Sequence, residues 1–239
     1  MTAHPPDVAA ATHRTGARAL SIAGRAALVA TIAWLTEPIA FVAALLNPAN
    51  MNPDQTYLEF WQIGLPFAYL VGLGEIVFGV AIGLLVFAAE AARPMPDTRR
   101  YAMTVGRALG VLAGAAMIVA GAIQLTGGGL AGMALTQIPV DDEGVRWLAR
   151  QGFMIGHEAL RLTACLGFAA WLVVLSRTGR SDGLVGRGVA ITTIVAAVLI
   201  AVPGATTGLL TGMNFVVLAL IPLSIGFLRR SRAEAFLDG

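Results

Sequence analysis

The candidates for chemistry in this chain are polar residues that lie inside, or at the ends of, long apolar stretches. A charged side chain near the centre of a bilayer costs about 2.5–3.5 kcal/mol, so it needs a partner or a function. The densest group, His157, Glu158 and Arg161, belongs to the apolar stretch from Gly152 to Leu175. Four more candidates stand in or beside other apolar stretches: Glu37, Glu75, Gln124 and Asn214.

Glu37 and Glu75 are predicted to lie at the same depth in the membrane. Glu37 stands nine residues before the end of the first predicted span, and Glu75 nine residues after the start of the second. At 1.5 Å per residue, both carboxyls lie roughly 14 Å below the same boundary, and Arg161 lies roughly 10 Å below it. We therefore expect these three groups to converge. The other four candidates belong to the same half of the membrane. Gln124, His157 and Glu158 are predicted to lie nearer the outer mouth of the site, and Asn214 within that half.

Two interpretations of this convergence stay open. Two carboxyls close together in a low dielectric cannot both remain ionised, so one binds a proton or a cation, or Arg161 neutralises it. The first interpretation is therefore a site that binds or transports a proton, a cation or a small polar ligand. The second is a non-catalytic accessory or structural subunit, in which the same groups only staple helices together. Pro38, beside Glu37, slightly favours a site because proline frees a backbone carbonyl.

Motifs of catalysis or cofactor binding are missing from the sequence, so we predict no catalytic residue, no metal and no cofactor. His157 is the only histidine in a predicted span, whereas bis-histidine haem needs two. His157-Glu158 lacks the second histidine of the zinc-protease motif, and no phosphate-binding loop or nucleophile elbow occurs. The single cysteine, Cys165, excludes an internal disulfide. An intramembrane enzyme is therefore the least favoured function.

Composition predicts an all-α polytopic membrane protein. Of 239 residues, 57% are hydrophobic and only 13% are charged, whereas a soluble domain carries about 25% charged residues. A helix needs about 20 apolar residues to cross roughly 30 Å of hydrocarbon. Six stretches approach that length and predict a six-helix bundle with these spans: 26–46, 66–89, 108–125, 154–175, 188–202 and 209–228.

The rest of the chain is assigned to tails and connections. Residues 1–20 are expected to form a disordered cytoplasmic tail, and residues 231–239 a second cytoplasmic tail, around a single domain at 21–230. Aromatic residues at 57–65 favour a short helix lying at the headgroup level. A helix beginning at Glu143 is expected to run directly into the fourth span.

The positively charged residues, all of them arginine, are distributed unevenly along the chain. Thirteen of sixteen fall in the tails and in the loops at 91–107 and 176–187, with Arg25 counted among them. The other three are predicted to fall on the opposite side: Arg146, Arg150 and Arg161. Short loops with an excess of arginine lie on the cytoplasmic side of the membrane, so both termini are predicted to be cytoplasmic. Arginine without lysine, together with abundant alanine and glycine, favours a bacterial cytoplasmic membrane as the location.

The predicted partner is the lipid bilayer. The basic loops are interpreted as topology signals and as contacts to lipid headgroups, not as a nucleic-acid surface. A homo-oligomer or another membrane protein as partner is left open, and so is the identity of any ligand.

Three short motifs in the C-terminal half resemble a family. They are GHEA at 156–159, SRTG at 176–179 and GLVGR at 183–187. The chain resembles, in these motifs, a domain-of-unknown-function family of bacterial multi-pass membrane proteins. The resemblance implies six or seven helices and no established activity, and it assigns no functional residue.

The predicted orientation can be tested with reporters at the C-terminus. A fluorescent protein fused after Gly239 should fluoresce, and alkaline phosphatase fused there should be inactive, because the arginine distribution keeps this end in the cytoplasm. A phosphatase fusion at Met51, in the first predicted outer connection, serves as the positive control. Phosphatase activity at Gly239 would contradict the orientation.

Overall fold

The structure is a computed structural model that describes residues 7–48, 57–93, 100–126, 143–206 and 213–237. This part of the chain is helical and contains no strand, which confirms the predicted all-α class. The described residues form six helices: α1 (Asp7–Leu45), α2 (Tyr57–Ala91), α3 (Arg100–Ile123), α4 (Glu143–Ser181), α5 (Arg187–Thr206) and α6 (Val216–Leu237).

Four helices are long and apolar enough to cross a membrane. The stretches that meet this criterion within the described residues are Gly16–Ala40, Pro66–Ala91, Tyr101–Thr126 and Ile155–Ser181. Each of them overlaps one of the first four predicted spans and extends beyond it at one end or both. A shorter apolar stretch, Arg187–Val202, covers the fifth predicted span, and α6 covers most of the sixth. The length and apolarity of these helices are those of a membrane protein.

The helices pack in chain order into a closed ring. Each helix from α1 to α5 packs against the next one, and α6 packs against α1. Ser224 Oγ donates to the Gly24 carbonyl, and Ser231 Oγ donates to the Ala17 carbonyl, each at 2.8 Å. Higher numbers in α6 thus face lower numbers in α1, so the two helices are antiparallel. The start of α1 and the end of α6 therefore lie side by side at one end of the ring.

Glycine allows α2 and α3 to approach closely at two levels. A Cβ atom on Gly79 would overlap the Gly114 carbonyl oxygen, and a Cβ on Gly121 would lie 2.5 Å from the Gly72 carbonyl oxygen. The two contacts are seven residues apart on each helix, so they recur on one face after two turns. Small residues at such crossings let helix backbones pack closely in membranes, where no hydrophobic effect drives association.

Gly74 has the same role between α1 and α2. A Cβ on Gly74 would overlap Thr36 Oγ1 and lie 2.9 Å from the Ala33 carbonyl oxygen. Thr36 Oγ1 is itself fixed by a 2.7 Å hydrogen bond to that carbonyl. Because Glu37 follows Thr36 and Glu75 follows Gly74, this contact places both carboxyl-bearing residues at one level of the ring.

The predicted disorder of residues 1–20 is wrong where the structure describes them, because α1 begins at Asp7. The predicted C-terminal tail begins within α6, which continues to Leu237. Polar residues can extend a helix beyond the bilayer when another helix packs beside it, as α1 and α6 do here. Residues 1–6 and 238–239 lie outside the described part.

One further helix boundary differs from the sequence prediction, and another agrees with it. Residues 57–65 begin α2, which continues through Pro66, so they do not form the separate interfacial helix that was predicted. Proline is tolerated in a membrane helix when its surroundings compensate for the missing backbone donor. Helix α4 does begin at Glu143 and runs without a break through the fourth span, as predicted.

The glycine crossing predicts that Gly79→Ala is less stable than Gly83→Ala. At Gly79 the added methyl collides with the Gly114 carbonyl, and overpacking of this kind costs about 1–3 kcal/mol. At Gly83, one turn further along the same helix, a Cβ has no atom within 4 Å, so alanine should be neutral or slightly stabilising. Thermal unfolding of the two purified variants in mild detergent measures the difference, and equal midpoints would contradict the close α2–α3 contact.

Candidate functional site

Five charged or titratable side chains from three helices meet inside the ring. We call this group the polar cluster: Glu37 from α1, Glu75 from α2, and His157, Glu158 and Arg161 from α4. The main packing neighbours of α4 are α3 and α5. The cluster therefore connects α4 with α1 and α2, helices from across the ring.

Arg161 lies at the centre of the polar cluster and is only 2% exposed. Its Nη2 donates to both carboxylate oxygens of Glu37, at 2.8 and 2.6 Å. Its Nε lies 3.5 Å from Glu75 Oε1, and its Nη1 lies 3.8 Å from Glu158 Oε1. The guanidinium also stacks over the ring of Trp34, with Cζ 5.3 Å from the ring centroid. Charge-assisted hydrogen bonds from Nη2 and a cation–π contact thus offset much of the loss of water by the guanidinium. Its buried Nε makes an ion pair with Glu75 but no hydrogen bond among the described residues.

His157 lies between two carboxyl groups. Its Nε2 is 3.1 and 3.0 Å from the two oxygens of Glu75, and its Nδ1 is 3.2 Å from Glu158 Oε1. A neutral imidazole carries a proton on only one nitrogen, whereas two ionised carboxylates need one proton in each contact. The two contacts together therefore need one proton more than a neutral histidine and two carboxylates supply.

The polar cluster carries more acidic than basic groups. Three carboxyls face one guanidinium and one imidazole. With all three carboxyls ionised, one negative charge remains even if the imidazole is protonated. An uncompensated charge in a low dielectric is costly, and proton uptake by a carboxyl removes it. The composition of the site therefore favours binding of positive charge.

Exposure decreases from the mouth of the polar cluster to its interior. The side chain of Glu158 is 27% exposed and that of Glu37 is 16% exposed, whereas those of His157, Glu75 and Arg161 are at most 4% exposed. The more accessible carboxylates thus flank a buried group, and the imidazole connects the accessible Glu158 to the buried Glu75.

An apolar layer closes the interior on the other side of the polar cluster. Trp34 lies one turn before Glu37 on α1, and Phe78 lies one turn after Glu75 on α2, with ring centroids 5.5 Å apart. Cys165 and Phe168 follow Arg161 along α4, and all four side chains are at most 2% exposed. We call these four residues the apolar floor. The polar cluster therefore lies between the apolar floor and the end of the ring where α1 ends and α2 begins, which we call the mouth.

Two of the predicted site residues lie apart from these five. Gln124 is half-buried in the turn that follows α3. It comes three residues after Gly121, whose Cβ position is 3.0 Å from the Cβ of Glu75, so it lies nearer the mouth, as expected. Asn214 is exposed, in the turn before α6. Its neighbours Met213 and Val216 are buried, and its predicted place among the polar groups stays a prediction.

The sequence prediction missed Trp34. It precedes Glu37 by three residues, so the two share one face of α1. That spacing was the available signal for an aromatic partner of Arg161. As for metals, the described side chains include no group of three or more His, Cys, Asp or Glu residues that could hold an ion.

Comparison with known proteins adds no further information about this site. No protein-family model, curated protein or solved structure matches the chain. The resemblance to a domain-of-unknown-function family therefore stays a prediction, and the functional conclusion depends on the geometry of the polar cluster.

Replacing Arg161 should destabilise the protein much more than replacing an exposed arginine whose salt bridge has a similar nitrogen–oxygen distance. Arg161→Gln leaves buried carboxyls without their counter-charge, which costs about 3–5 kcal/mol. Arg230→Gln removes a half-exposed pair with Glu234, at 2.8 Å, and should cost about 0.5 kcal/mol or less. Unfolding with a denaturing detergent, followed by circular dichroism, compares the variants.

The double variant Glu37→Gln/Arg161→Gln provides the matched control. It should recover part of the stability lost in Arg161→Gln, because one unpaired carboxylate is removed together with the guanidinium. A loss in the double variant equal to the sum of the two single losses would show that Glu37 and Arg161 do not interact.

Proposed function

We propose that this protein is an integral membrane protein that takes up protons at Glu75, His157 and Glu158. The observation that carries the proposal is the position of His157, whose two ring nitrogens each face a carboxyl at 3.0–3.2 Å. This arrangement needs at least one proton beyond those of a neutral histidine. The proton is held in the interior, and its route from the mouth passes through Glu158.

The three side chains form a proton path from the mouth to the interior. A proton that arrives at Glu158 passes to Nδ1 of a neutral His157, while the proton on Nε2 passes to Glu75. One O–H and one N–H bond break, and one N–H and one O–H bond form. The imidazole ends as the other tautomer, and the total charge is unchanged. Histidine is suited to this role because its two nitrogens exchange donor and acceptor roles.

A proton fits the site better than a metal ion or a larger polar ligand. The polar atoms of the cluster are already within 2.6–3.8 Å of one another, so a proton requires no additional space. A small cation would need several ligands directed at one point, and no such group occurs among the described side chains. The excess of carboxyls supports uptake of positive charge. The apolar floor supports binding from one side without conduction through the ring.

The orientation of the site is part of the proposal. We infer six membrane spans, with both termini in the cytoplasm of a bacterial cell. The arginine distribution supports this topology, and so does the closed ring in which α5 and α6 complete the circle begun by the four longer helices. The mouth of the polar cluster then faces outward, away from the arginine-rich end.

A structural role is the second candidate function. The two short hydrogen bonds from Arg161 to Glu37 favour it, because they join α4 to α1 across the ring. In this case the protein is an accessory membrane subunit, and the polar cluster fixes its packing. Polar contacts between membrane helices contribute about 0.6–2 kcal/mol each. If the role is structural, a conservative substitution removes stability of this size. If the site takes up protons, the substitution removes proton uptake.

Proton uptake by Glu75 distinguishes the two functions. Infrared difference spectra of the protein in lipid nanodiscs, recorded as the pH is lowered, should show a protonated carboxyl band. We expect Glu75→Gln to remove this band while the protein stays folded, because glutamine keeps the shape and can still contact His157. Glu234→Gln, which alters a partly exposed carboxyl outside the polar cluster, should leave the band unchanged.

His157→Gln provides the second arm of the same experiment. It should delay or reduce protonation of the buried carboxyl, because the connection to Glu158 is lost. If the band is the same in all variants, the proposal is wrong. If Glu37→Gln and Glu75→Gln only lower the yield of folded protein and no cluster carboxyl titrates, the structural role is correct instead.

A further inference from the structure

An exposed arginine lies inside the first candidate membrane span. Arg25 belongs to the stretch Gly16–Ala40 and is exposed on the outer surface of α1. Ile22 and Val29, which share its face of the helix, are exposed as well. Arg18 is exposed seven residues nearer the arginine-rich end of the ring, where α1 begins, so Arg25 lies roughly 10 Å deeper. A charge at this depth on an apolar face is costly unless the side chain reaches a polar group.

A second exposed arginine lies beside Arg25, at the contact between α1 and α6. A Cβ atom on Gly24 would lie 2.7 Å from Leu228 Cγ and 3.2 Å from Leu228 N, so the two helices approach closely here. Arg25 follows Gly24, and Arg229 follows Leu228. Both arginines are exposed, whereas the residues that precede this contact on each helix are buried: Ala23 and Phe227. The contact therefore has a buried inner side and an outer side that carries both arginines.

The antiparallel arrangement of α1 and α6 directs the two side chains toward a common level. Ser224 and Leu228 both contact Gly24, so Arg229 lies about one turn, roughly 5 Å, nearer the arginine-rich end than Arg25. The Cα–Cβ bonds of a helix tilt toward its N-terminus, which lies at the arginine-rich end in α1 and at the opposite end in α6. The deeper side chain thus begins toward the membrane surface and the shallower one toward the interior. The two guanidiniums can therefore reach one group between them.

The exposed charges on this surface are positive. The exposed charged side chains that the structure describes on α1 and α6 are all arginines: Arg18, Arg25, Arg229 and Arg232. Within the described part of the chain, no carboxylate forms an ion pair with Arg25 or Arg229, and the nearby Glu234 pairs with Arg230 instead. The surface therefore favours an anion that brings its own counter-charge to the two guanidiniums.

We propose that Arg25 and Arg229 together bind the phosphate of an anionic phospholipid on the outer surface of α1 and α6. Arginine extends along apolar surface to place its charge at the headgroup level, and guanidinium pairs well with phosphate oxygens. The acyl chains then lie against exposed apolar side chains of the same two helices: Ile22, Val29, Ile221 and Ile225. The site needs no cavity, because the lipid lies on the surface of the ring.

The charges around the site select a lipid of net negative charge. The ammonium of an ethanolamine or choline headgroup would lie among guanidiniums, because Arg18 and Arg232 extend the positive surface toward the membrane boundary. A glycerol headgroup carries no cation and avoids that repulsion. Basic groups at the membrane surface attract anionic lipids for the same reason. This inference uses no residue of the polar cluster, so it is independent of the proposed proton site.

Native mass spectrometry of the full chain released from detergent measures this preference. Phosphatidylglycerol, phosphatidylethanolamine and phosphatidylcholine are titrated in turn, and the population with one bound lipid gives each dissociation constant. Wild type should bind phosphatidylglycerol about tenfold more tightly than the other two, as expected for a charged contact that no neighbouring cation offsets. Arg25→Gln and Arg229→Gln should each bring the affinity for phosphatidylglycerol close to that for phosphatidylcholine.

Arg177→Gln is the matched control. Arg177 is also exposed and lies near the end of α4, at the same end of the ring, but α4 packs against α3 and α5. Its substitution should leave the affinity for all three lipids unchanged. If Arg25→Gln does not fold, Arg229→Gln carries the test, because Arg229 lies nearer the membrane boundary.

The double variant Arg25→Gln/Arg229→Gln tests whether one phosphate is shared. It should lose no more affinity for phosphatidylglycerol than either single variant, because both arginines bind the same group. Losses that multiply in the double variant would show two independent attractions and would overturn the shared site.

Three further outcomes would overturn the proposal. The first is equal binding of the three lipids to wild type, and the second is an equal loss of the preference in Arg177→Gln. The third is a dimer in the same spectra that Arg25→Gln abolishes while the preference for phosphatidylglycerol remains, because this surface would then bind a second copy of the chain.

Discussion

The structure depends on one electrostatic constraint, which is that the buried guanidinium of Arg161 must have compensating partners. An unpaired arginine inside a membrane protein is too costly to be tolerated. Glu37 and Glu75 supply carboxyls from helices on the other side of the ring, and Trp34 supplies an aromatic face. The same requirement fixes the relative heights of α1, α2 and α4, since three side chains from three helices must meet at one level.

Once those heights are fixed, glycine and apolar side chains complete the interior. Gly74 lets α1 and α2 approach where their carboxyls must converge, and the glycine contacts between α2 and α3 hold the next helix close. The apolar floor of Trp34, Phe78, Cys165 and Phe168 keeps the polar cluster separate from the other end of the ring. Helix α4 is bound by polar contacts near both ends of its span, through Arg161 and through Thr178.

Much of this architecture was predictable from the sequence, because it follows from hydropathy and from the cost of burying charge. Glu37, Glu75 and Arg161 were expected to converge from their depths alone, and their contacts in the structure confirm it. The orientation of individual side chains was not predictable. The nine-residue distance from the end of a span gives the depth of Glu37 or Glu75 in the membrane, but not the direction of its side chain around the helix. Thus the place of His157 between two carboxyls required the structure, and so did the exposure of Asn214 in the turn before α6.

The ends of the helices were predicted least well, for a physical reason. Hydropathy marks where a chain leaves the bilayer, but a helix continues for as long as its backbone hydrogen bonds and its neighbours support it. Residues 7–20 are polar enough to suggest disorder, yet α1 includes them, and Ala17 accepts a hydrogen bond from Ser231 of α6. Pairing between the two ends of the chain is a long-range contact that local composition does not encode.

The most direct test of the polar cluster is solid-state NMR on the protein in lipid bilayers, with nitrogen labels in arginine and histidine and carbon labels in glutamate. Through-space transfer should connect Arg161 Nη with the Glu37 carboxyl carbon, and His157 Nε2 with that of Glu75. Both signals should disappear in the matching Glu→Gln variants. If neither correlation occurs in folded wild-type protein, the charged groups do not meet inside the ring, and both the described fold and the proposed proton site are wrong.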